Sequence, residues 1–96
     1  MHYNDLKWER WGGAHAHVPG YEDAYRARVD FPNGYGVSVL RGGPFYTKNG
    51  TYELGVLFGG SLHYDNPVAQ GDVLGYLTLD EMMQACLDVS ALPPPL

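Results

Sequence analysis

The stretch from Tyr25 to Arg41 restricts the fold of this chain more than any other. Tyr25, Ala27, Val29 and Phe31 alternate with Arg26, Arg28 and Asp30. Pro32-Asn33-Gly34 interrupts, and then Tyr35, Val37 and Val39 alternate with Gly36 and Ser38. An apolar/polar period of two marks a strand with one buried face, and turn residues between two such runs mark a β-hairpin. Register separates two candidate turns. A two-residue Asn-Gly turn pairs Pro32 with Tyr35 and sets Asp30 beside Val37 and Arg28 beside Val39, which puts charge on the apolar face. A three-residue loop pairs Phe31 with Tyr35, Val29 with Val37 and Ala27 with Val39, with Gly34 in the left-handed bulge position. A slip of one residue turns every side chain to the other face, so the three-residue loop is expected.

Two further strands follow. Tyr52, Leu54, Val56 and Phe58 alternate with Glu53, Gly55 and Leu57, and Gly59-Gly60 turns the chain into a short strand over 61–64. A three-residue loop here pairs Phe58 with Leu62 and Val56 with Tyr64, and is preferred. Val73 to Leu77 suits a brief edge strand. Thr78-Leu79-Asp80-Glu81 forms a capping box that opens a helix ending near Ala91, before Pro93-Pro94-Pro95. Leu79, Met82, Met83, Cys86 and Leu87 form its expected apolar stripe, with Asp80, Glu81, Gln84 and Asp88 toward water. Residues 1–12 suit a short helix with Trp8 and Trp11 on one face, closed by Gly12-Gly13, and a loop follows. The expected fold is α+β. A four-stranded antiparallel β-meander packs against a C-terminal α-helix, behind an irregular or short-helical N-terminal segment. The boundaries are 1–23 for that segment, 24–77 for the sheet and 78–91 for the helix, all in one domain of 96 residues.

Charge is unevenly placed. Residues 1–41 hold five bases and five acids, whereas residues 42–96 hold one base (Lys48) and six acids (Glu53, Asp65, Asp72, Asp80, Glu81, Asp88). The second half therefore carries the whole net charge of −5. That balance argues against binding nucleic acid through its phosphates and suits a basic surface on a partner. No apolar run is long enough to span a membrane, and no membrane role is expected.

Catalytic patterns are lacking. Cys86, the single cysteine, falls on the apolar stripe of the helix, where little activates it. Ser38 and Ser61 lack a nucleophile-elbow context. His15 and His17 lie two apart in a loop, without a third ligand marked in the sequence. The glycine pairs lack the lysine and the strand-to-helix setting of a phosphate loop. No catalytic residue, cofactor or metal is therefore expected. Binding residues are sought instead among the N-terminal aromatics Trp8, Trp11 and Tyr21, residue types that anchor interfaces, and among the acids Asp65, Asp72, Asp80 and Glu81.

The run Phe31-Pro-Asn-Gly-Tyr-Gly-Val-Ser-Val-Leu-Arg-Gly-Gly-Pro, with Tyr52-Glu-Leu-Gly-Val-Leu, Leu62-His-Tyr-Asp-Asn-Pro and Val73-Leu-Gly-Tyr-Leu-Thr, resembles small, uncharacterised bacteriophage and prophage proteins. The resemblance covers residues 30–82 and brings no catalytic residue with it. It implies a phage accessory protein in the bacterial cytoplasm. The expected function is non-enzymatic: binding and inhibiting a host protein, such as a CRISPR–Cas component or other anti-phage defence machinery. Two alternatives stand beside it. One is a small-molecule-binding protein or small enzyme with a pocket over the sheet, and the other a structural or homo-oligomeric phage component.

Overall fold

The computed structural model describes residues 2–11 and 23–94. Its elements are β1 (Trp8–Arg10), β2 (Tyr25–Asp30), β3 (Tyr35–Arg41), β4 (Tyr52–Phe58), β5 (Ser61–Leu62), β6 (Leu74–Leu77) and α1 (Leu79–Ser90). All strand pairs are antiparallel, in the order β1-β2-β3-β4. The far edge of β4 is shared: β5 pairs with Leu57 and Phe58, and β6 pairs with Tyr52 and Leu54. The α+β class and the C-terminal helix agree with expectation, and the sheet has six strands rather than four.

The first hairpin forms as its register requires. Val29 faces Val37, Ala27 faces Val39, and the Phe31 N–H donates to the Tyr35 carbonyl at 2.7 Å. Asn33 does more than turn the chain. Its Nδ2 donates to the carbonyls of Val89 and Leu92, both at 2.9 Å, and of Ser90 at 3.2 Å. Val89 and Ser90 belong to the last turn of α1, where carbonyls lack helical partners, and Leu92 follows the cap. The hairpin loop thus ties down the C-terminus of α1.

The second hairpin departs from expectation. Leu57 pairs with Leu62 and Phe58 with Ser61, so the loop is the two residues Gly59-Gly60. Both have positive φ (60° and 87°), as a type I′ turn demands, and that turn matches the natural twist of the strands. The shorter loop moves Leu62 to the face that carries Leu57.

The N-terminal segment also differs. Tyr3–Asp5 is a single 3-10 turn, and residues 8–10 form an edge strand, with Trp8 opposite Ala27 and Arg10 opposite Tyr25. On a strand, residues three apart point to opposite faces. Trp8 and Trp11 therefore do not share a face.

The core lies between α1 and one face of the sheet. Ala27, Val37, Val39, Leu54 and Val56 pack there against Met82, Ala85, Cys86 and Val89. The capping box forms as expected: the Thr78 hydroxyl accepts from the Glu81 N–H, and the Glu81 carboxylate accepts from the Thr78 N–H at 2.9 Å. The buried stripe is rotated from the expected one. Leu79 and Leu87 are 45% and 40% exposed, and Ala85 and Val89 take their place. Small side chains at Ala85 and Cys86 let the helix axis approach the sheet, while Met82 and Val89 fill the space on either side. Among the described residues no helix is long and apolar enough to cross a membrane.

Candidate functional site

Three segments line a shallow, open groove of about 810 Å³ along α1. Leu74 and Leu77 of β6, Val68 of the preceding loop, and Ala85 and Leu92 of the helix region form an apolar floor. Asp80, Glu81 and Asp88 stand on its helix rim, and among the described residues no basic side chain lines it. Asp80, Gln84 and Asp88 follow one another at four-residue steps, so the two aspartates lie about 12 Å apart along the axis.

Local chemistry fixes each wall. The Asn66 carboxamide oxygen accepts from the N–H groups of Val68 (3.1 Å) and Ala69 (2.8 Å), and its Nδ2 donates to the His63 carbonyl at 2.9 Å. That Asx turn holds Val68 against the groove. On the helix side, the hydrogen bonds from Thr78, backbone first and hydroxyl-linked second, hold the Glu81 carboxyl below its usual range. Asp88 accepts from Gln84 Nε2 at 2.9 Å. It sits in the last turn, where the helix dipole disfavours an anion and where α1 has no basic residue. The i,i+4 hydrogen bond from Gln84 offsets part of that cost.

The residues singled out in the sequence separate into several places. Asp80 and Glu81 join the groove. Asp65 lines an adjoining hollow of about 490 Å³ that shares Pro67 and Gln70 with it. Asp72 lines neither hollow, and its carboxylate accepts from the Val73 N–H at 2.7 Å. Trp8 and Trp11 do not form one aromatic patch. Trp8 packs beside Tyr3 and Tyr52, with ring centroids 6.2 and 6.1 Å away, and the Arg41 guanidinium lies 4.5 Å from its ring centre. Trp11 stacks edge-on against Phe45 (5.4 Å), with the Arg26 guanidinium 5.4 Å from its ring centre. Tyr21 lies outside the described residues, as do His15 and His17.

Sequence reasoning missed the groove floor and Asp88 as parts of a site. The two four-residue steps from Asp80 through Gln84 to Asp88 were a usable signal. The floor was not, because it is gathered from separate segments.

Burial pushes the Cys86 thiol up to about 11, and the protonated thiol rests 3.9 Å from the Met82 sulfur. Among the described residues no three His, Cys, Asp or Glu side chains converge to hold a metal ion. No family profile, curated protein or solved structure matches the chain.

Proposed function

We propose that the chain is a non-enzymatic binding protein that docks a basic, amphipathic segment of a host protein in the groove along α1. The observation that carries this reading is the composition of the groove: an apolar floor, three carboxylates and no cation. Apolar floors supply affinity, and a rim of one sign selects partners of the other and speeds their encounter.

The resemblance to phage and prophage proteins supplies the setting. In that setting the partner is a bacterial defence component, and occupying its basic surface inhibits it. CRISPR effectors fit this description, because they hold their guide–target duplex in a positively charged channel. An acidic groove competes for such a surface without binding nucleic acid itself.

A photo-crosslinking amino acid at position 84, expressed in the bacterial host, tests the proposal. The expected product joins position 84 to a lysine- or arginine-rich segment of a host protein, and it disappears in an Asp80→Lys/Asp88→Lys background. This pair of reversals suits the purpose because their dipole effects oppose. A cation at the start of α1 costs, and one at its end gains, about 0.3–1 kcal/mol each. A crosslink that persists in the reversed variant, or one to an acidic segment, contradicts the reading.

A further inference from the structure

Among the described residues Arg41 makes no ion pair. It lies on the last row of β3, between Tyr25 of β2 and Tyr52 of β4. Its guanidinium carbon is 4.5 Å from the centre of the Trp8 ring and 4.8 Å from that of Tyr25. Among the described residues its guanidinium makes one hydrogen bond, a long one from Nη1 to the Tyr3 hydroxyl at 3.4 Å. The one ion pair among the described residues joins Arg28 to Asp30 and leaves Arg41 out. Arg41 Nε and Trp8 Nε1, two adjacent buried donors, have no acceptor.

A partly buried cation is costly unless something of opposite charge meets it. Ring contacts offset part of that cost, but aromatic faces leave the in-plane N–H donors unused. Those donors are the ones that suit two oxygens of a carboxylate or phosphate. A cleft of about 330 Å³ borders Arg41, lined by Tyr25, Tyr52, Asp23, Thr51 and the main chain at Gly42 and Gly50. Tyr52 is held as a neutral phenol by its burial, and next by its hydrogen bond with Tyr3, so it can donate as well as accept. The Asp23 carboxylate is occupied by the Gly43 N–H at 3.0 Å.

We infer that this cleft is an oxyanion-binding site, in which Arg41, clamped between Trp8 and Tyr25, takes the carboxylate or phosphate group of a small ligand. The site is separate from the acidic groove and does not depend on that groove's function. Asp23 is its brake, since a second negative charge on the cleft wall weakens an anion bound there.

Two-dimensional ¹⁵N NMR of the whole chain tests this directly, because the Arg41 Nε–H and Trp8 indole N–H are both visible. Sodium phosphate and sodium acetate are titrated separately at constant ionic strength, with chloride as the reference salt. Phosphate, acetate or both should shift the two signals along a saturable curve, while the Trp11 indole stays still. Which of the two saturates identifies the ligand group. Asp23→Asn keeps the acceptor for Gly43 and should tighten the dissociation constant severalfold. Arg41→Lys keeps the charge but loses the planar fork, and should abolish saturation at Trp8. Shifts that match chloride, or that move Trp11 equally, overturn the inference. So does unchanged affinity in Asp23→Asn, a result that stands even if Arg41→Lys fails to fold.

Discussion

The groove along α1 and the cleft at Arg41 are opposites. Among the described residues, the groove gathers three carboxylates around an apolar floor without a cation, and the cleft holds a cation without an ion-pair partner. The chain has both charges and joins neither to the other. Folding can place ionised groups in pairs at little cost on a surface, and it did so for Arg28 and Asp30. In the two proposals above, the charges in these hollows answer to ligands outside the chain. The difference also shows how each region was made. The groove stands on one helix edge, on strand β6 and on the loop before it, whereas the cleft is set by the register that aligns Tyr25, Arg41 and Tyr52, with turn residues at Asp23, Gly42, Gly50 and Thr51 completing its wall.

If the two regions belong to one cooperative unit, a core deletion should melt both together. Met82→Ala, at a fully buried position under α1, is expected to cost about 2–5 kcal/mol. Chemical denaturation followed by helix signal and by Trp8 should give one coincident transition. Two separate transitions would show that the regions fold independently.

Asn33→Ala should divide them. It removes the donor from the carbonyls at and just past the end of α1 and costs about 1–3 kcal/mol. Hydrogen exchange should accelerate first in the last turn of α1, beside the groove, with β3 near Arg41 little changed. Equal acceleration at both places would mean that the Asn33 tie is not local.

Acid provides the smallest and most selective effect. The folded-state pKa of Glu81 lies below its ordinary value of 4.5. Its contribution is therefore complete above that value and is lost as pH falls through the folded pKa. Fraying of the first turn of α1 should appear in that window and be missing in Glu81→Gln. A loss of structure centred at higher pH would implicate another group.

The sequence revealed these regions unequally. The Tyr25–Arg41 hairpin was legible because charge fell on the apolar face in the competing two-residue register. The same register, carried one pair further, sets Tyr25 beside Arg41, so the cleft was within reach. Gly59-Gly60 gave no such discrimination: Leu57 and Phe58 are both apolar, and either loop buried something. Strand β1 was hidden because Trp8 and Trp11 stand three apart, a helical spacing, and three residues are too few to display alternation. The stripe on α1 was misjudged because size was taken for burial, whereas close approach to the sheet favoured Ala85 over Leu79. The groove was half legible: its acids followed helical period, but its floor came from contacts between distant segments.

The central claim is that the groove selects a basic amphipathic segment by charge and apolar contact together. Fluorescence anisotropy with a lysine-bearing amphipathic peptide, its glutamate counterpart as control, measures this most directly. The account predicts saturable binding of the basic peptide only, weakening as salt rises, and lost in Asp80→Asn/Glu81→Gln/Asp88→Asn with its helix intact. Equal binding of the acidic peptide, or undiminished binding by the neutralised variant, would contradict it.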